Sequence, residues 1–134
     1  MTALSQARPV VQTEGRQSNL PVKGATTIYQ GGLVVMDAGL AVPGRTAVDL
    51  IAAGVAQHTV ANTGADGAKK VLVERGTFKF ANHGADAVTA ADIQKDCYIV
   101  DDQTVAKTSG SNTRSIAGKV IEVEADGVFV RVGY

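Results

Sequence analysis

The residues of this chain that could do chemistry are two histidines, one cysteine and a pair of adjacent aspartates. Neither His58 nor His83 has a His or Cys at the short spacing of a zinc site. Cys97 precedes an apolar run and is interpreted as a small buried hydrophobic residue. Asp101-Asp102 lacks the long oxygen-rich loop that calcium requires. We therefore expect no metal, no cofactor and no catalytic residue.

Nucleotide-binding and nucleophile motifs are also missing from the sequence. The only Gly-Lys pair, Gly118-Lys119, is followed by Val120 and has no correctly spaced glycine before it, so it is not a P-loop. No serine lies in a nucleophile-elbow motif. A small hydrolase that uses a histidine beside Cys97 or a carboxylate is thus the least favoured of three functional hypotheses. We expect that the protein is not an enzyme.

The composition favours a small β-rich domain that binds protein. The chain has 134 residues, and its 13 basic and 13 acidic residues give zero net charge. No basic cluster exceeds Lys69-Lys70, so nucleic-acid binding has little support. Without Trp, and with only 4% aromatic residues, the core must be aliphatic and is expected to be supplemented by oligomer contacts. The sequence shows neither a signal peptide nor an apolar run of transmembrane length, so we expect synthesis in a cytoplasm and no membrane partner.

The elements that would position any site are short strands. The densest β-type run, Val71 to Phe80, predicts a central hairpin with Arg75-Gly76 as its turn. Its apolar side would pair Val73 with Phe78 and Val71 with Phe80. Its other side is polar except for one leucine, which makes it a candidate interface formed by Leu72, Glu74, Thr77 and Lys79.

A second hairpin is predicted at the end of the chain, with Asp126-Gly127 as a type I′ turn. This register places apolar residues opposite one another on one face and Glu122 opposite Arg131 on the other; the apolar pairs are Ala125–Val128, Val123–Val130 and Ile121–Val132. Gly118 is a plausible bulge or barrel-corner kink.

The remaining pattern predicts a mainly β fold: a small antiparallel β-barrel or sandwich of roughly nine or ten short strands. A capping box at Thr89 and Asp92 predicts one short helix near 89–95. Residues 46–56 are ambiguous, and the β-rich surroundings favour strands over a helix capped by Thr46.

The first 21 residues differ from the rest of the chain. They are polar, contain two prolines that break any helix, and are predicted to form an extended or disordered N-terminal arm, whereas 22–134 form one β-rich domain. As an extended arm, this segment would become ordered on a neighbouring subunit. Its candidate contact residues are Val10, Val11, Leu20 and Pro21.

The order of several segments resembles the DUF2190 family of tailed bacteriophages and prophages. The segments are Val-Lys-Gly-Ala-Thr-Thr-Ile-Tyr-Gln-Gly-Gly-Leu-Val-Val (22–35), Gly-Val-Ala-Gln-His-Thr (54–59), Val-Glu-Arg-Gly-Thr-Phe-Lys-Phe-Ala-Asn (73–82), Cys-Tyr-Ile-Val-Asp-Asp-Gln-Thr-Val (97–105), Ile-Ala-Gly-Lys-Val-Ile-Glu-Val (116–123) and Val-Phe-Val-Arg-Val (128–132). Each is short, and their order and spacing over 22–134 carry the resemblance.

The resemblance implies a capsid decoration, or cement, protein without catalytic residues. Such a protein would lie on the outer surface of the virion as a homo-oligomer, with a trimer favoured over a dimer, and would bridge neighbouring major capsid subunits. The alternative is a virion-surface or tail-associated β-domain that binds a host glycan or protein. The scattered positions of the tyrosines, Tyr29, Tyr98 and Tyr134, weigh against that alternative.

Overall fold

A computed structural model describes residues 2–134, which form twelve strands and two short 3₁₀ turns. The strands are β1 (Gln17–Pro21), β2 (Thr26–Ile28), β3 (Leu33–Asp37), β4 (Leu40–Pro43), β5 (Ile51–Ala56), β6 (Val60–Asn62), β7 (Lys70–Glu74), β8 (Gly76–Asn82), β9 (Asp96–Ile99), β10 (Thr104–Ala106), β11 (Ile116–Glu124) and β12 (Gly127–Val132). The 3₁₀ turns are Gly84–Asp86 and Ala90–Asp92. The predicted mainly β class is confirmed, with 47% of residues in strands and 5% helical.

The strands form two main sheets and one ribbon. The first sheet has the order β1-β7-β5-β3-β4, and its neighbouring strands are antiparallel. The second is a closed barrel of order β10-β8-β12-β11-β9. Four of its pairings are antiparallel, but β10 and β8 close the barrel in parallel, which the predicted antiparallel barrel did not include. The ribbon pairs β2 with β6.

Strand β3 separates two hydrophobic cores. Leu33 and Val35 belong to the core shared with the barrel, whereas Val34 belongs to the core that the β2–β6 ribbon covers. Successive side chains of a strand point to opposite faces, so a strand buried on both faces has no polar alternation. That explains the continuous apolar run of β3. The same alternation places Val42 and Val55 in the first core, and their neighbours Ala41 and Ala56 in the second.

The predicted hairpin from Val71 to Phe80 is wrong, because the chain changes sheets at Arg75. Strand β7 is flanked by β1 and β5, so neither of its edges is free to pair with β8. Strand β8 pairs with β12 and β10 in the barrel instead. Val71 and Val73 therefore lie in the second core, while Phe80 lies in the first.

The C-terminal hairpin exists, but its predicted turn is wrong by one residue. Glu124 pairs with Gly127, so Ala125 and Asp126 form the turn. Gly127 lacks the positive φ of a type I′ turn; it is buried in β12, where a Cβ atom would lie 2.8 Å from the carbonyl oxygen of Phe80. This turn places Val123 opposite Val128 and Glu122 opposite Phe129. A bulge between Val120 and Glu122 then shifts the register, which places Lys119 opposite Arg131.

Three other predictions, on two segments, have clear outcomes. The strand interpretation of 46–56 is confirmed in part by β5, which begins at Ile51. The capping box is present, because the Asp92 carboxylate accepts a hydrogen bond of 2.8 Å from the Thr89 N–H. The helix itself stops after Asp92, since Gln94 and Lys95 form backbone hydrogen bonds with Val120 of β11.

The N-terminal arm is shorter than predicted. Residues 17–21, which the sequence assigns to the arm, form β1 and pair with β7 from Gln17↔Glu74 to Pro21↔Lys70. Residues 2–16 contain no strand and are mostly exposed. The carbonyl oxygen of Arg16 accepts a hydrogen bond of 3.0 Å from the Arg75 N–H, which fixes the base of the arm.

Candidate interaction surface

The cysteine lies where it cannot act as a nucleophile. Cys97 is fully buried in the barrel core, and its thiol contacts the carbonyl oxygen of Gly118 at 3.6 Å. Burial, with a smaller contribution from the charge of Asp96, raises the pKa of Cys97 to about 12. The reactive form of a cysteine is the thiolate, and at neutral pH this side chain is a thiol.

Neither histidine lies in a cluster that could bind a metal. The Nε2 atom of His58 accepts a hydrogen bond of 3.0 Å from the Leu72 N–H, so the imidazole extends the pairing of β5 with β7 by one bond. His83 precedes the first 3₁₀ turn, and its backbone N–H donates to Val105. Residues 2–134 contain no group of three or more His, Cys, Asp or Glu side chains suited to a metal ion. No helix in this range is long and apolar enough to cross a membrane.

The predicted interface residues do not form one surface. Leu72 lies on β7 in the first sheet, and Lys79 lies on β8 in the barrel. Lys79 is already paired, at 2.6 Å from Asp126 and 3.1 Å from Glu124, and these hydrogen bonds raise its pKa. Leu20 packs against the second core beside Val71.

The arm residues stand apart from the rest of the predicted interface. Val10 and Val11 are 67% and 99% exposed and make no contact with either core. Leu4, in the same arm, is 70% exposed. Pro21 is half-buried at the end of β1. The arm therefore carries three uncovered apolar side chains, of which the sequence singled out two.

One apolar surface of the domain was not revealed by the sequence. Val48, Ile51, Ile116 and Tyr134 are 52%, 69%, 48% and 67% exposed. They line two adjoining depressions of about 410 Å³ and about 210 Å³, which share Leu50 and Ile116 as walls. We refer to this surface as the apolar groove; its residues are Val48, Leu50, Ile51, Tyr98, Ile116 and Tyr134.

The groove lies where the first sheet meets the barrel. Ile51 begins β5, and Ile116 begins β11 opposite Tyr98 of β9. Ser115 joins the two sides: its hydroxyl accepts a hydrogen bond of 3.1 Å from the Leu50 N–H and donates one of 2.7 Å to the Ala47 carbonyl oxygen. Because Ser115 is buried, these bonds hold the chain before β5 firmly against the start of β11.

A polar network supports one end of the groove. The Asp86 carboxylate accepts hydrogen bonds from the Thr108 hydroxyl at 2.5 Å and from Arg114 at 3.0 Å. The bond from Thr108 lowers the pKa of Asp86, and the Arg114 guanidinium adds to the effect. Arg114 and Ser109 line the groove, so the network fixes the loop that forms this wall.

Tyr134 forms the other end of the groove and is held between two cations. Its ring centroid lies 4.0 Å from the Arg131 guanidinium and 4.7 Å from that of Arg75. Cation–π contacts of this kind orient an exposed ring without burying it. Tyr134 thus presents an ordered aromatic edge beside Ile51 and Ile116.

The structure brings together residues that have no common sequence motif. Val48, Tyr98, Ile116 and Tyr134 come from four separate segments, and no signal in the sequence indicates that they lie together. The groove is open, and its apolar side chains are bordered by polar ones, including Asp49, Ser109 and Arg114. An open surface of this kind is suited to docking of a peptide segment or ligand. No protein-family model, no curated protein and no solved structure matches this chain.

Proposed function

We propose that the protein decorates and stabilises the outer surface of a bacteriophage capsid as a homo-oligomer that bridges neighbouring major capsid subunits. A trimer is favoured over a dimer. The observation that carries the proposal is the arm, because residues 2–16 extend from a well-packed β domain with Leu4, Val10 and Val11 uncovered. Such a segment is suited to bind a second protein surface.

Two further features support a structural role on a virion. The chain resembles DUF2190 proteins in the order of its segments over 22–134. Zero net charge suits a protein whose partners are proteins and not packaged DNA. We place the protein on the outer face of the head, after synthesis in the host cytoplasm.

The mechanism is physical. Packaged DNA pushes outward on a thin shell, and a bridge between capsid subunits adds buried area that must be lost before those subunits separate. Several copies joined in one oligomer bind with avidity, so each contact can be weak and the assembly still holds. The arm would serve as the strap in this arrangement, ordered where it lies on the capsid or on a sister subunit.

The test is binding to undecorated, expanded phage heads. We expect the full chain to bind them and to raise their resistance to heat, and we expect removal of residues 2–14 to weaken binding at least tenfold. The double variant Val10→Asp/Val11→Asp should behave like the truncation. Its matched control, Gln6→Ala/Gln12→Ala in the same arm, should bind like the full chain. A full chain that leaves heads unbound and equally heat-sensitive would refute the proposal.

One observation favours the alternative, a virion-surface or tail-associated domain that binds a host glycan or protein. Tyr98 and Tyr134, scattered in the sequence, border the same apolar groove. Exposed aromatic rings beside a groove are common where proteins bind ligands. Binding of the isolated protein to host cells, lost in Tyr134→Ala but not in Tyr29→Ala, would support this alternative.

A further inference from the structure

We infer that the apolar groove is the docking site for the N-terminal arm of a second copy of this chain, so that copies assemble by arm exchange. The arm carries apolar side chains that its own domain leaves uncovered, and the groove is an apolar surface that its own arm leaves uncovered. Val11 is 99% exposed, and Ile51 and Tyr134 on the groove are 69% and 67% exposed. Docking of the arm in the groove would bury the exposed apolar side chains of both.

The shapes of the two surfaces fit each other. The arm segment Arg8-Pro9-Val10-Val11 contains a proline, which fixes φ and favours extended backbone. An extended segment places successive side chains on opposite sides, and the groove offers apolar walls on both sides, from Ile51 of β5 and Ile116 of β11. Val10 and Val11 can therefore each contact one wall.

One charge on the arm is complementary to one charge on the groove. Arg8 lies two residues before Val10, and Asp49 lies on the groove beside Val48 and Leu50. Among residues 2–134, the salt bridges involve neither Arg8 nor Asp49. Asp49 also has a positive φ of 63°, which holds it in a turn at the rim of the groove. A docked arm would give both charges a partner.

The position of the arm's base allows exchange in a pair or around a ring of copies. Gly15 lies against Arg75, with its Cβ position 3.2 Å from the Arg75 Nη2 atom, and Arg75 stacks on Tyr134 at the end of the groove. The base of each arm is thus next to the groove of the same copy. When an arm crosses into a neighbour's groove, it docks beside the base of the neighbour's own arm, and that arm is free to extend into another open groove.

The arm is long enough to reach a neighbour. From Gly15 to Val10 an extended chain spans about 17–18 Å. A folded domain of this size has a radius of gyration of about 14 Å. Val10 can therefore reach a neighbour's groove that adjoins the base of the arm without unfolding β1.

This inference rests on the oligomeric part of the proposed function alone. Its tests use the isolated protein, so their failure would leave binding to phage heads unaffected. Failure to bind heads would in turn leave arm exchange unaffected.

The decisive experiment is disulfide trapping between two different single-cysteine variants. Val10→Cys, labelled with ¹⁵N, is mixed with unlabelled Ile116→Cys and oxidised mildly, and mass spectrometry identifies the mixed disulfide. Cys97 is fully buried and does not compete. The matched control replaces Ile116→Cys by Ala125→Cys, an exposed position beyond the opposite end of β11. We expect the Val10–Ile116 pair to form at least ten times more mixed disulfide than the control pair.

Solution mass gives a second, independent test. We expect the full chain to have a multiple of the 13.8 kDa monomer mass, and both the chain lacking residues 2–14 and Ile116→Asp to be monomeric with unchanged far-ultraviolet circular dichroism. Arm exchange would be overturned by a monomeric full chain or by an oligomer that survives loss of the arm. It would also be overturned if a chain carrying both Val10→Cys and Ile116→Cys formed the disulfide only within itself.

Discussion

Gly118 of β11 packs directly against the carbonyl oxygen of Arg131 in β12, so closely that a Cβ atom at position 118 would overlap that oxygen. The contact lies where the register of β11 shifts against β9, between Ile116 and Gly118. It lets β11 bend at the barrel wall directly beside the apolar groove. The predicted bulge or kink at Gly118 has this backbone contact as its physical basis.

Replacing Gly118 by alanine should destabilise the domain. The new methyl group must displace backbone and not a flexible side chain, so we expect a loss of about 2–3 kcal/mol in the free energy of unfolding. Urea unfolding followed by circular dichroism measures this. Gly84→Ala is the control, because nothing lies within 4 Å of its Cβ position. Equal stability of the two variants would contradict the packing described.

Removing the Ser115 hydroxyl should loosen the groove. Ser115→Ala leaves the N–H of buried Leu50 without its partner, and an unsatisfied buried donor costs about 1–3 kcal/mol. The same unfolding experiment measures that loss, and Ser5→Ala in the exposed arm should change nothing. If arm exchange is correct, adding Ser115→Ala to the Ile116→Cys chain should also lower the yield of its mixed disulfide with Val10→Cys. A Ser115→Ala domain as stable as the parent would show that the hydroxyl does not hold the groove.

The thiol of Cys97 should be inert in the folded protein. Burial raises its pKa to about 12, and the side chain is inaccessible to reagents. We expect no reaction with a chromogenic disulfide reagent at pH 8 within an hour, and stoichiometric reaction after denaturation. The Ala125→Cys variant, whose new cysteine is exposed in the hairpin turn, should show one thiol that reacts with the reagent in the folded state. Rapid native labelling of Cys97 would mean that the barrel opens readily.

Acid should weaken the capping box at the second 3₁₀ turn. The hydrogen bond from the Thr89 N–H lowers the pKa of Asp92 below 3.8 in the folded chain. A carboxylate with a lowered folded-state pKa contributes stability above its unfolded pKa, and this contribution is lost as the pH falls through the folded value. Asp92→Asn should therefore lower the melting temperature at pH 6 and have a diminishing effect below about pH 3.8.

The control for this pH dependence is Glu122→Gln, an exposed position on β11 that forms no salt bridge within residues 2–134. We expect its melting temperature to follow that of the parent protein from pH 6 to pH 2.5. If the melting temperature of Asp92→Asn lies below that of the parent by a constant amount over this range, ionisation of Asp92 is not what stabilises the turn.

Local patterns predicted the strands well and their partners poorly. Val71 to Phe80 has the composition of a hairpin, but the connection at Arg75 depends on β1 and β5, which take both edges of β7. Strand β1 itself, Gln-Ser-Asn-Leu-Pro, has no apolar alternation and is a strand because β7 gives it a partner. Pairing between distant segments is a property of the whole chain, and no window of residues contains it.

The candidate site also depends on contacts between distant segments, which local sequence patterns do not predict. Val10 and Val11 could be found from the sequence because they are an apolar pair in a polar segment. The groove could not, because Ile51 and Ile116 each look like ordinary core positions of a strand. Only the contact of β5 with β11 shows that both side chains remain outside the core. Leu72 suggested an interface for the opposite reason: it interrupts a polar face of a hairpin that does not form.

The division of β3 between two cores has a consequence for how the protein melts. Leu33 and Val35 serve one core and Val34 the other, so neither core can lose its packing while the strand between them stays intact. The ribbon, the first sheet and the barrel should therefore unfold as one cooperative unit, with a single heat-absorption peak whose calorimetric and van't Hoff enthalpies agree. The two aliphatic cores should share one melting point because they share one strand.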